Sequence, residues 1–292
     1  MIDIKELENK IINADCMDIL KELPDKCIDL VLTDPPYGYL NTQFDKEYFD
    51  VEKIFYELSR VLKKDGLFVF SGRGDSFFAQ NIVLEKLGLP FKEEIVWNKK
   101  ANSSPYNAIN RIHELMVIRG NKPLNKIKVP IEEYYDNYED LVIAIKRAIS
   151  SIKKKPEDFV KMVKTGEIDR VMPRKSKFSV TASPNVKEAD RGIKQASSFI
   201  HGFNFKSIFQ TSRDSVYKGI HPTQKPVKLF ERMIEICSNE NDLVLDCFSG
   251  SGTTAIACQR LNRRFVCIEK DKDYWEASVK RLKSEKAQLK LF

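Results

Sequence analysis

At 292 residues, 42% hydrophobic and 31% charged, the chain can bury the core of one enlarged α/β domain or of a domain with an insertion. Its net charge of +7 is unevenly placed, since residues 121–218 hold 20 Lys+Arg against 12 Asp+Glu while the remainder holds 29 against 30; that segment is either a solvated lysine-rich insertion or an electrostatic footprint for a polyanion. No apolar run approaches the roughly 18 residues of a membrane span, MIDIKELENKIINAD lacks the apolar stretch of a secretory signal, and Cys16, Cys27, Cys237, Cys247, Cys258 and Cys267 stand singly, so a cytoplasmic protein with reduced thiols and no metal site is expected.

In chain order, IINA (11–14) is a short strand candidate, and IDLVLT (28–33) is a continuous apolar run ending at Asp34, the pattern of a strand covered on both faces. VEKIFYELSRVLK (51–63) sets Val51, Ile54, Phe55, Leu58 and Leu62 on one helical face, and Asp65-Gly66 is expected to end that helix before a buried strand, LFVFSG (67–72). A helix near 76–87 and strands at EEIVWN (93–98) and ELMVIR (114–119) continue a β-α-β rhythm, which predicts a mostly parallel sheet flanked by helices. The rhythm breaks in 121–218, where amphipathic stretches near 137–154 and 157–165 precede a Ser/Asn/Lys-rich tract at 176–198. It returns with a helix from Pro226 to Cys237, a strand run LVLDCF (243–248), a helix near 253–261, a strand RFVCIE (264–269) and a C-terminal helix near 272–286. Pro226 suits a first helical turn, where a missing N–H costs nothing.

Two motifs carry chemistry. Asp246-Cys247-Phe248-Ser249-Gly250-Ser251-Gly252-Thr253-Thr254-Ala255 follows an apolar strand and opens a helix, with Glu269 at the end of the next strand. Its glycines let a ligand approach the backbone, and Glu269 can accept from a ribose diol, as in dinucleotide-binding loops. Asp246, however, would face a pyrophosphate with a second anion. A carboxylate there suits a ligand with an ammonium, a sulfonium and no phosphate, which describes S-adenosylmethionine.

The second motif, Thr33-Asp34-Pro35-Pro36-Tyr37-Gly38, directly follows the apolar run 28–33, at a strand end where open α/β sheets place their crevices. Two prolines hold the backbone extended and remove two N–H donors. A carboxylate and a carbonyl can then take the two hydrogens of an NH2 group while the tyrosine ring stacks on a planar amino-heterocycle. A plain turn with a packing tyrosine is the bland alternative.

Together the two motifs resemble those of the β-class amino-methyltransferases of DNA, in which the catalytic motif precedes the cofactor motif and a target-recognition region lies between them. The resemblance covers residues 11–120 and 220–286 and includes Asp15 in NADCMDIL, EEIVWNK at 93–99, and His221-Pro222-Thr223-Gln224-Lys225-Pro226; Cys247 stands where many relatives have proline. It implies a permuted Rossmann-like methyltransferase fold, with a mostly parallel seven-stranded sheet, one antiparallel strand and a partly helical target-recognition insertion. The expected division is 1–120 for the catalytic half, 121–218 for the insertion and 219–292 for the cofactor half.

By the same resemblance Asp34, Pro35, Pro36 and Tyr37 are catalytic. Asp246, Phe248, Gly250, Gly252 and Thr253 line the methionine end of S-adenosylmethionine, Glu269 binds its ribose, Asp15 its adenine amino group, and Lys225 lies near its carboxylate. The implied reaction is methylation of adenine N6 in double-stranded DNA: the base is flipped out and stacked on Tyr37, its amine is held by Asp34 and the Pro35 carbonyl, and the nitrogen attacks in line without a covalent enzyme intermediate. Cytosine N4 is the alternative within the class; a nicotinamide-dependent oxidoreductase and an inactive DNA-binding module are the alternatives outside it. Cys16 and Cys247 are not read as nucleophiles, since neither follows a proline in a Pro-Cys loop. A prokaryotic or phage origin, a restriction-modification setting with a cognate endonuclease, and a monomer or homodimer are all compatible with the resemblance; no membrane partner is expected.

Residues 141–178 hold 11 Lys+Arg against 4 Asp+Glu, so several phosphate contacts are expected there. Replacing Lys153, Lys154 and Lys155 with glutamine is predicted to weaken duplex binding for all sequences alike, and to flatten the fall of log K with log salt by about 0.9 for each phosphate no longer neutralised. Fluorescence anisotropy over a salt series checks this. Identical slopes would make the lysine run a solvated helix end.

Overall fold

A computed structural model describes residues 2–37, 50–99, 108–109, 112–152, 155–166, 197–212, 220–221 and 223–289. Gly38, Lys153, Lys154, Pro222 and residues 176–196 of the Ser/Asn/Lys-rich tract lie outside the described residues. The chain divides into two compact units, one of residues 1–125 with 207–292 and one of residues 126–206.

The larger unit is built on one sheet. In chain order it contains α1 (Ile4–Leu7), β1 (Lys10–Asn13), α2 (Cys16–Glu22), β2 (Ile28–Thr33), α3 (Val51–Val61), β3 (Leu62–Gly72), α4 (Gly74–Lys86), β4 (Phe91–Asn98) and β5 (His113–Gly120). In the smaller unit, β6 (Lys128–Val129) and β7 (Phe203–Asn204) pair antiparallel around α5 (Ile131–Tyr134), α6 (Tyr138–Ile152) and α7 (Pro156–Thr165). The larger unit resumes with β8 (Ile208–Gln210), α8 (Val227–Cys237), β9 (Leu243–Asp246), α9 (Thr253–Arg260), β10 (Arg264–Glu269) and α10 (Lys272–Leu289). No helix among the described residues is long and apolar enough to cross a membrane.

The sheet order is β1-β10-β9-β2-β3-β5-β4-β8, and β5 alone runs against its neighbours. The mostly parallel sheet with one antiparallel strand is therefore as expected, but it has eight strands rather than seven. The additional strand is β8, three residues at the edge, pairing Val96 with Ile208 and burying Phe209. It falls within the span 121–218 that the sequence set apart, and its short polar flanks conceal it.

The helix expected to run to Asp65-Gly66 stops at Val61. Asp50 caps its start by accepting from the Lys53 N–H at 3.0 Å, and Ile54, Phe55, Leu58 and Val61 form its buried stripe. Leu62 already pairs with Ile28, and the register then jumps so that Leu30 meets Leu67, leaving Lys63–Gly66 as an irregular stretch inside β3. Sheet pairing and the Lys63–Asp29 ion pair, at 2.7 Å, override the helical pattern. Phe55 meets Phe68 and Phe70 at centroid distances of 5.1 and 5.5 Å, fixing α3 to the sheet.

In the smaller unit, Ala148, Phe159 and Met162 form a core with Ile145, Ile149 and Phe199 packed against it. Tyr134 stacks on Phe203 at 4.4 Å, and the helix α7 ends at Gly166 in the left-handed conformation.

Gly120 closes β5 at φ +127°, and a Cβ there would lie 2.6 Å from the Gly66 carbonyl oxygen of β3. Neither backbone can yield without breaking the ladder. Gly120→Ala is predicted to destabilise the protein by about 2 kcal/mol or more, lowering the unfolding midpoint in scanning calorimetry by roughly 5 °C.

Candidate active site

A cleft of about 1090 Å³ opens where β1, β2, β9 and β10 end. Among the predicted residues, Asp15, Asp34, Pro35, Pro36, Tyr37, Lys225, Asp246, Phe248, Gly250, Thr253 and Glu269 line it. Gly252 does not. It caps α9 at φ +76°, where a Cβ would come within 3.1 Å of Ile11 and Ser278, so its bareness serves helix packing.

The two motifs meet because β2 and β9 are parallel neighbours, with Leu30 opposite Val244 and Val31 opposite Leu245. Thr33 Oγ1 donates to Asp246 Oδ1 at 3.0 Å, the Phe248 N–H donates to the same oxygen at 3.1 Å, and Thr254 Oγ1 donates to Oδ2. Burial pushes the Asp246 carboxyl up to about 7; the hydrogen bonds from Thr254, Phe248 and Thr33 oppose that rise and Asp34 adds to it. Gly250, at φ +49°, donates its N–H to Glu269 Oε2 at 2.7 Å, and Asp271 donates to Oε1 at 2.9 Å. Burial raises Glu269 against those two N–H groups. Asp15 caps α2 by accepting from the Met17 N–H at 2.9 Å, and its Oδ2 lies 3.5 Å from Lys270. Thr253 is buried and turns its hydroxyl to the Lys225 carbonyl at 3.2 Å.

Across the cleft, Asp34 is held at both oxygens. Tyr37 donates its hydroxyl to Oδ1, and the Lys225 ammonium pairs with Oδ2. Lys225 is 6% exposed and also lies 3.3 Å from Glu114 Oε2, whose other oxygen meets Lys99 at 3.0 Å. Burial pulls the Lys225 ammonium down, but Asp34 and Glu114 outweigh it and its pKa lies above the ordinary lysine value. Burial, then Asp34 and Glu114, hold the Tyr37 phenol well above its ordinary value, so it stays a donor. His221 packs edge-on against Tyr274 at 4.3 Å, and burial pushes its pKa down. Burial likewise raises the Cys247 thiol well above the usual range, which disfavours a thiolate.

Several participants were not among the predicted site residues. Arg281, which donates to the Ser251 carbonyl at 3.1 Å, carries no local signal; Thr33, Lys99, Glu114 and His221 lay inside the motif or the resembling stretches without a role. In all, Asp15, Asp18, Asp34, Asp50, Asp246, Glu269 and Asp271 line the cleft against Lys53, Lys225 and Lys270. In a protein of net charge +7 this is an acidic pocket, suited to a cationic ligand and unfavourable to a pyrophosphate.

The family N6_N4_Mtase, described as DNA methylase, matches residues 28–280, so the chain belongs to that family. It is 29% identical over 289 residues to the Type II methyltransferase M.HpaI of Haemophilus parainfluenzae, covering 96% of this chain and 76% of the relative. The crystal structure of an M1.HpyAVI–SAM complex superposes with a TM-score of 0.55 at 24% identity, covering 94% of this chain and 99% of the other. The cytosine-N4-specific PvuII DNA methyltransferase superposes at 0.57 with 16% identity, covering 96% and 91%. The fold is thus the α/β fold of these solved structures, with a mostly parallel central sheet.

The raised Asp246 pKa has a stability consequence of definite sign. The folded carboxyl keeps its proton up to about pH 7, whereas the unfolded one loses it near 3.8. Its contribution is therefore fully present below the lower value and is lost as pH rises through the upper one. Asp246→Asn, which has no proton to lose, is predicted to gain stability relative to the unmodified protein between pH 5 and pH 8. Thermal midpoints of both proteins across that range test this; a constant difference would show that Asp246 does not titrate there.

Proposed function

We propose that the protein transfers a methyl group to adenine N6 in duplex DNA, acting on a base flipped out of the helix. The observation that carries this reading is the joint lining of one cleft by Asp34 and Pro35 on one wall and Asp246, Gly250 and Glu269 on the other. An exocyclic amine is a poor nucleophile because its lone pair is delocalised into the ring. Hydrogen bonds from its two hydrogens to Asp34 and to the Pro35 carbonyl favour a pyramidal nitrogen and free that lone pair. Preorganised acceptors of this kind need no rearrangement as the reaction begins. Tyr37 supplies a stacking surface for the base.

The acidic lining and the left-handed Gly250 fit S-adenosylmethionine, with Asp246 and Phe248 toward its methionine end, Glu269 at the ribose and Asp15 at the adenine amine. When bound, it supplies a methyl carbon on a sulfonium, electrophilic toward an amine. Lys225 lines the same cleft, but its ammonium lies against Asp34 and Glu114, so its role is assigned to the acceptor side. The basic span 121–218, which contains the separate unit 126–206, is assigned to target recognition, with phosphate contacts giving affinity and base contacts giving specificity. Adenine is preferred to cytosine N4 on the carboxylate of Asp34, since serine often takes that position in cytosine N4 enzymes; the likeness to a cytosine-N4-specific structure keeps the second target under test.

Asp34→Ala is expected to lower methyl transfer by about 100-fold or more while S-adenosylhomocysteine affinity in calorimetry is retained. Asp246→Ala and Glu269→Ala are expected to weaken that affinity by about 10-fold or more, a loss of roughly 1.4 kcal/mol each. Near-normal transfer by Asp34→Ala overturns the assignment. Nucleoside analysis of the product DNA decides the target, N6-methyladenine supporting adenine and N4-methylcytosine replacing it.

A further inference from the structure

Lys99, Glu114, Lys225 and Asp34 form a line of alternating charges beneath the acceptor loop. The first follows β4, the second lies near the start of the antiparallel neighbour β5, the third precedes Pro226 at the head of α8, and the last follows β2. Their side chains are 6%, 9%, 6% and 16% exposed. Four charges removed from water cost several kcal/mol each before their pairing is counted. Such pairs often add little net stability over apolar residues of the same volume, so fold stability alone is a weak reason for this line to exist.

We infer that Glu114, itself held by Lys99, is a positioning residue for methyl transfer: it shares the Lys225 ammonium with Asp34 and so keeps Asp34 an effective acceptor for the base amine. The inference rests on the reading of Asp34 given above. A buried ammonium paired with Asp34 alone would draw the carboxylate's electron density to itself and compete directly with an incoming N–H donor. Glu114 Oε2, 3.3 Å from the same nitrogen, supplies a second anion that divides this attraction. Lys99, 3.0 Å from Glu114 Oε1, fixes that carboxylate in place and brings the four charges to neutrality. The groups facing Lys225 are Asp34 and Tyr37 from the loop after β2, Glu114 from β5 and His221 from the segment before α8.

The test uses the full-length protein with tritiated S-adenosylmethionine and unmethylated genomic DNA, measuring single-turnover rates at one neutral pH over a series of DNA concentrations. Glu114→Gln, which preserves shape and removes the charge, should lower the rate at saturating DNA about 10-fold or more while S-adenosylhomocysteine affinity and duplex affinity are unchanged. Glu114→Asp, which restores the charge at a greater distance, should recover an intermediate rate. If Glu114→Gln does not fold, Glu114→Asp decides by the same readouts. A saturating rate equal to that of the unmodified protein, in whichever variant folds, overturns the inference. So does a Glu114→Asp rate no higher than that of Glu114→Gln, which marks a structural role only. If Asp34→Ala retains transfer in the same assay, the fault lies in the reading of Asp34 and not in the coupling of Glu114 to Lys225.

Discussion

Thr33 Oγ1 donates to Asp246 Oδ1 at 3.0 Å, joining the last residues of two parallel strands that lie 213 positions apart in the chain. Parallel neighbours end on the same side of a sheet, so the loops that follow them open at one edge. That is why the Asp34 loop near the N-terminus and a glycine loop near the C-terminus share a cleft. The chain between them must cross over and return in any case. It carries the separate unit 126–206 on the way without altering the register of Leu30 with Val244 and Val31 with Leu245. The order of motifs along the sequence matters less than the adjacency of the two strands.

The distribution of charge supports a division of labour. The excess of basic residues lies in 121–218, while the cleft is lined by seven carboxylates and three lysines. A polyanion is drawn to the first and repelled by the second. Under the proposed reading this helps discrimination: a neutral base can enter the cleft, whereas the phosphates attached to it are better accommodated outside. A cationic cofactor is favoured by the same acidic lining that would disfavour a dinucleotide, which is how Asp246 separates the two classes on sequence grounds alone.

Much of this was legible in the sequence because the deciding signals are local. An apolar run ending in Asp34, and another ending in Asp246 before glycines, mark two buried strands and the loops that line the cleft. The β-α-β rhythm points to the parallel sheet. What escaped was set by pairing across long separations. Leu62 looks helical in its own window, yet Ile28 claims it for β3. Ile208–Gln210 is too short to announce a strand and exists because Val96 and Asn98 offer an edge. Lys99 and Glu114 look like ordinary charged residues near strand ends, and only the antiparallel pairing of β4 with β5 brings them under Asp34. Gly250 and Gly252 read alike in sequence, but one faces the cleft and the other faces Ile11.

Asp34 is already occupied at both oxygens, by Tyr37 and by Lys225, which at first sight leaves it poorly placed to receive a base. Counting lone pairs resolves this. An ionised carboxylate offers about four acceptor directions, and Tyr37 and Lys225 take two. Under the proposed reading an exocyclic amine gives one hydrogen to Asp34 and one to the Pro35 carbonyl, so it needs a single direction. Tyr37 therefore need not give up its hydrogen bond for the base to bind. Its phenol, held well above its ordinary pKa, remains a donor to Asp34 and does not add a third anion beside the carboxylates of Asp34 and Glu114. Under that reading the two contacts that fix the Asp34 loop can persist when a base binds, which is the condition for acceptors to act without reorganising.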